Sequence, residues 1–211
     1  MVKWISRQLI AGIVLAALLG AGQEIRAQKT IPTVAQQIEA AVSAAPPNKR
    51  EGAKVLGYNA QGELVTLREG SNELICLADD PKNPKFHVAC YYEGLEPFMK
   101  RGRELKARGY SSAEADSIRW EEIESGELAY PEKPMGLYSL SGPEGGYSYS
   151  EGKVKEATPL YVVYVPYATE QSTGISTAPA GEGGSWLMEA GTPWAHIMIP
   201  GRPIDNSEET N

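Results

Sequence analysis

The sequence predicts an α+β fold: an antiparallel sheet, built from an N-terminal meander and C-terminal strands, with an N-terminal helix and a central helical pair. Three observations predict it. Apolar residues recur at helical spacing over residues 33–44 and again over 93–127. Short runs rich in Val, Leu and Ile alternate with glycine-containing turn tetrads over 53–78. The segment 160–165 is apolar on both faces, as a central strand must be.

The chain opens on an export signal. Lys3 and Arg7 supply positive charge, residues 9–19 carry no charged or polar side chain, and Gly20-Ala21-Gly22 precedes a polar stretch from Gln23 to Gln28. This order predicts a secretory signal peptide over 1–27, cut after Ala27 or, alternatively, after Ala21 or Gly22. The apolar run falls short of the roughly 20 residues that a membrane helix needs, so no stable membrane span is expected after cleavage. The expected location is secreted or periplasmic.

In residues 33–44, Val34, Ile38, Ala41 and Val42 form one apolar stripe; Thr30 or Thr33 caps the start and Pro46-Pro47 ends the helix. Strands are predicted over 53–58, 63–68 and 73–78, joined by Asn59-Ala60-Gln61-Gly62 and Glu69-Gly70-Ser71-Asn72. Links this short favour antiparallel neighbours, hence a meander. A loop with Asp79-Asp80-Pro81 and Asn83-Pro84 leads to a fourth strand over 85–92. The first central helix covers 93–108, with Leu95, Phe98, Met99 and Leu105 on one side and Gly109 as its stop. Ser111 and Glu114 make a capping box for the second, 112–127, which turns Ile118, Trp120 and Ile123 toward the core. The charges of this hairpin read as two solvated faces that attract each other weakly.

Strand 134–140, a glycine-rich stretch 141–146 and residues 147–151 follow, then the central strand 160–165. The loop 169–184 is small, polar and glycine-rich, hence expected to be mobile or shaped around something. Residues 185–189 and 194–199 form a closing hairpin through Ala190-Gly191-Thr192-Pro193. The organisation is therefore a signal peptide (1–27), a single α+β domain (28–201) and a disordered polar tail (202–211).

Composition narrows the partners. Export removes three cations (Lys3, Arg7, Arg26) and one anion (Glu24), taking the net charge from −7 to −9. An acidic surface argues against nucleic acid. Tyrosine is abundant, 11 residues against 2 phenylalanines, which suits partly exposed sheets and binding surfaces. The chain's cysteines are Cys76 and Cys90, which in an oxidising compartment are expected to pair. The bridge closes a loop of about 15 residues, worth roughly 3 kcal/mol in the chain-entropy model. His87, three residues before Cys90, raises a metal site as the competing idea, but no second Cys/His pair has finger-like spacing.

Ser43-Ala44-Ala45-Pro46-Pro47, Leu67 to Asn72 and Cys76-Leu77 with its acidic loop, together with Trp186-Leu187-Met188 and Gly191-Thr192-Pro193-Trp194-Ala195-His196-Ile197-Met198, resemble a family of exported bacterial proteins without an assigned activity. The resemblance implies export and one architecture. It carries over no catalytic residue.

No Gly-X-Ser-X-Gly, P-loop or dinucleotide motif is present, and a disulfide at Cys90 removes the thiolate that a cysteine nucleophile needs. His196 stands out, in an apolar strand just after a Gly-Thr-Pro turn. It reads either as a hydrogen-bonded structural histidine or as a ligand-pocket member with Trp194, Trp186 and Tyr164 beside the glycine-rich loop. The sequence thus points to a non-enzymatic binding or accessory domain without a cofactor, whose partner is a small ligand, an envelope component or a protein. The alternative is an envelope hydrolase or metal-dependent enzyme using His196 and His87.

Overall fold

The computed structural model describes residues 30–206. The predicted signal peptide and residues 207–211 lie outside the described residues.

Helix α1 (Val34–Val42) begins where the sequence places a cap. The Thr33 hydroxyl accepts from the Gln36 N–H, and the Gln36 side chain accepts the Thr33 N–H in return. Gln37, buried in the next turn, donates to the carbonyls of Pro32 and Tyr58 and accepts the Tyr58 N–H. It thereby pins the helix to the end of strand β1 (Lys54–Tyr58). At the other end Arg50 donates to the carbonyl of Ser43, the residue that caps the helix, and to that of Ala45 beyond it.

Strands β2 (Leu64–Arg68), β3 (Leu74–Leu77), β4 (Phe86–Tyr92), β5 (Met135–Gly142), β8 (Glu156–Tyr164), β9 (Trp186–Met188) and β10 (His196–Pro200) join β1 in one sheet, ordered β2-β1-β3-β4-β5-β8-β10-β9. A small hairpin, β6 (Tyr147–Ser148) and β7 (Lys153–Val154), stands beside it. The sheet is mostly antiparallel, as expected, and β8 holds a central position between β5 and β10.

The expected meander over 53–78 is corrected at its third strand. β1 and β2 form the predicted hairpin, turned by Asn59, whose side-chain oxygen accepts the N–H groups of Gln61 and Glu63. β3 then pairs with β1, not β2, and runs parallel to it. The link between β2 and β3 is tied beneath the start of β1, where Ser71 and Asn72 donate to the Gly52 carbonyl. Gly70 permits the crossing, since a Cβ there would lie 2.8 Å from the Lys54 nitrogen. The chain consequently re-enters the sheet on the free edge of β1.

Alternation along the strands divides the core. One face presents Val55, Leu74, Cys76, Val88, Cys90 and Leu140 to Ala40 and Ala41 of α1. Cys76 and Cys90 stand directly opposite across β3 and β4, close enough to bridge, and are joined with an Sγ–Sγ distance of 2.08 Å. The other face presents Leu56, Ile75, Tyr91, Val162 and Tyr164 to the helical pair α2 (Glu96–Ala107) and α3 (Ser112–Glu124). The Ser111–Glu114 capping box forms as predicted. The apolar trio expected inside does not lead α3 into the core: Ile118, Trp120 and Ile123 are half-buried, whereas Ala115 and Arg119 are buried. Gly102 of α2 is the reason, because the Arg119 guanidinium occupies the space its missing side chain leaves.

The glycine-rich loop contains a short helix, α4 (Glu170–Thr173), capped by Thr169, and docks through Ile175 and the Leu187 N–H donated to Ser176. The tail expected to be disordered from 202 is ordered at its start. Strand β11 (Ile204–Asp205) pairs with β8, and the Asn206 N–H donates to Lys155, because β8 extends back to Glu156 and offers an open ladder there. Among the described residues no helix is long and apolar enough to cross a membrane.

Candidate functional site

The predicted histidine group assembles in part. His196 and Tyr164 face each other across β10 and β8, with ring centroids 5.4 Å apart, and Trp194 lies 5.5 Å from the same imidazole. His196 is 7% exposed, and its Nδ1 donates to the Trp194 carbonyl at 2.7 Å. Burial holds its imidazole below the ordinary histidine range, although that carbonyl and Glu189 favour the proton. Trp186 stands opposite Met198, farther along β9, outside this ring cluster. The glycine-rich loop is on the other side of the sheet: Ile175 packs with Leu187 and Ile197, whose side chains alternate away from His196. His196 and the loop therefore do not line one pocket.

The two histidines do not meet either. His87 is level with Ser141 and Thr158, while His196 is level with Tyr164, six residues farther along β8. That separation is about 20 Å along the strand plus about 14 Å across three strand spacings. The same sheet face carries both, but no one substrate or ion is reached by both. Among the described residues no three His, Cys, Asp or Glu side chains converge as metal ligands.

Tyr164, Trp194 and His87 instead line a 360 Å³ cleft between the sheet and the helical pair. Arg119 closes its deep end. The guanidinium donates to the carbonyls of Phe98 and Ala115 and to the Asp116 carboxylate, and it lies over the Phe98 ring. At the opposite end the His87 and Lys106 side chains form the mouth.

A larger groove, of 910 Å³, opens on the α1 face where the helix stops short of β5 and β8. Its floor is Tyr138 and Tyr161, paired edge to face with centroids 5.7 Å apart. One wall is the end of α1 with Pro46 and Pro47, and the other is β7 with Ile204. Tyr161 is 40% exposed at the base of this groove. Tyr147, which stacks on Phe86, is 5% exposed, and its hydroxyl has no hydrogen-bond partner. Burial, with a smaller contribution from Glu39, pushes that phenol up to about 12, so it is a neutral donor and acceptor. Tyrosine abundance was the sequence signal for this site; which tyrosines gather depended on strand register.

Comparison of the chain with family profiles, with curated proteins and with solved structures returns no match.

Proposed function

We propose that the protein is an exported, non-enzymatic binding domain that takes a ligand in the tyrosine-floored groove. The observation that carries this reading is the exposed Tyr161 ring, paired with Tyr138 at the base of a groove of 910 Å³. An aromatic ring of this kind offers a ligand both an apolar face and a hydroxyl at its tip. The exposed Tyr161 ring and the apolar walls supply contact area, and the groove volume lies within the range of small-molecule sites. Export rests on the signal-peptide pattern of residues 1–27, and the Cys76–Cys90 bridge is consistent with an oxidising compartment.

Titration with N-phenyl-1-naphthylamine, a neutral aromatic amine, tests the groove. Saturable fluorescence enhancement is expected, lost in Tyr161→Ala and weakened several-fold in Tyr138→Ala. No saturable enhancement, or one that neither substitution changes, overturns the reading. N-terminal sequencing of the exported protein checks the compartment: it should begin at Gln28, or at Gly22 or Gln23 if cut at the alternative sites.

A further inference from the structure

We propose that the cleft beneath the helical pair is a second binding site, for an elongated apolar carboxylate whose head group lies between Lys106 and His87. The charges along the cleft decide this. Arg103 is paired with Glu96 and donates to the Tyr91 hydroxyl; Arg119 is paired with Asp116. Lys106 has no ion pair among the described residues. Lys106 and His87 both line this cleft and both are exposed, so one ligand group can lie between them. The nearby Asp79 is occupied: one oxygen accepts the His87 N–H and the other the Tyr149 hydroxyl. An uncompensated cation thus sits at the mouth of an apolar slot, in a chain of net charge −7.

The slot is long and narrow. Its α2 wall runs from Phe98 to Lys106, about 12 Å at 1.5 Å per residue. Its sheet wall descends from His87 through Ala89 to Leu137 and Tyr164. Met99 adds a flexible apolar side chain that adapts to an alkyl chain. His87 Nδ1 shares a hydrogen bond of 2.9 Å with Ser141, which leaves Nε2 as the ring nitrogen for the ligand. A carboxylate satisfies the mouth while its hydrocarbon fills the interior. A neutral apolar molecule fills only the second part.

Calorimetric titration with octanoate and with octanamide tests the proposal. Octanoate should bind saturably, and octanamide about fivefold more weakly or worse. Lys106 is exposed, so Lys106→Gln should fold normally and weaken octanoate about fivefold while leaving octanamide unchanged. Tyr161→Ala, which disables the tyrosine groove, should leave octanoate binding intact. Absence of saturable octanoate binding, equal binding of acid and amide, indifference to Lys106→Gln, or loss in Tyr161→Ala each overturns it.

Discussion

The guanidinium carbon of Arg119 lies 3.8 Å from the centroid of the Phe98 ring. A charged residue of α3 thereby rests on the aromatic anchor of α2, and Phe98 in turn contacts Tyr130, Tyr164 and Trp194. Arginine suits this place because its flat, weakly hydrated group stacks on a ring while its N–H groups reach two carbonyls and Asp116.

Arg119→Ala removes the stacking and leaves Asp116 without its partner. Asp116 is about a third exposed, so solvent softens the loss, and a destabilisation of about 2 kcal/mol is expected. Arg119→Met keeps the aliphatic stem and should recover part of it. Urea unfolding midpoints check both. An alanine variant that unfolds at the wild-type midpoint would show that the buried arginine does not hold the hairpin.

The Cys76–Cys90 bridge lies wholly buried between the sheet and α1. Reductant should leave it intact in the folded protein and cleave it once denaturant is added, as thiol labelling will report. Replacing both cysteines by alanine should lower stability by about 3 kcal/mol, the value for a loop of about 15 residues. Rapid labelling without denaturant contradicts the burial.

Tyr147→Phe should raise stability by about 1 kcal/mol, because it deletes a buried hydroxyl that has no partner. A midpoint that falls instead of rising would mean that the hydroxyl is satisfied in the free protein.

His196 predicts a pH dependence of definite sign. Its folded value is depressed by burial, so the unfolded chain binds the proton more readily. The stability it supports is fully present above the unfolded value of about 6.5 and is lost as pH falls toward the depressed folded value. Comparing wild type with His196→Gln between neutral and mildly acidic pH isolates the effect. The wild type should lose more stability on acidification, and parallel curves would remove histidine 196 as the cause.

Local chemistry wrote much of this protein into its sequence. The Ser111 cap, the Asn59 turn and the stop at Gly109 are decided by neighbours a few residues away and emerged as read; of the two caps offered for the first helix Thr33 is the one used, and the central strand read over 160–165 runs from Glu156 to Tyr164. The pairing of Cys76 with Cys90 also emerged as read. The order of the strands did not, because β3 pairs with β1 through a crossing at Gly70 that no hydrophobic period encodes. The predicted site was legible only in its local part. His196 and Tyr164 lie on neighbouring strands and met, with Trp194 in the turn just before β10, while His87 and the glycine-rich loop were separated by register and by face. The burial of Arg119 and the gathering of Tyr138, Tyr147 and Tyr161 arise from contacts between elements far apart in the chain. A sequence states each segment's preference. Which segments share a surface, and which polar atom is left there without a partner, is settled when the sheet assembles and its two faces are covered by helices of unequal reach.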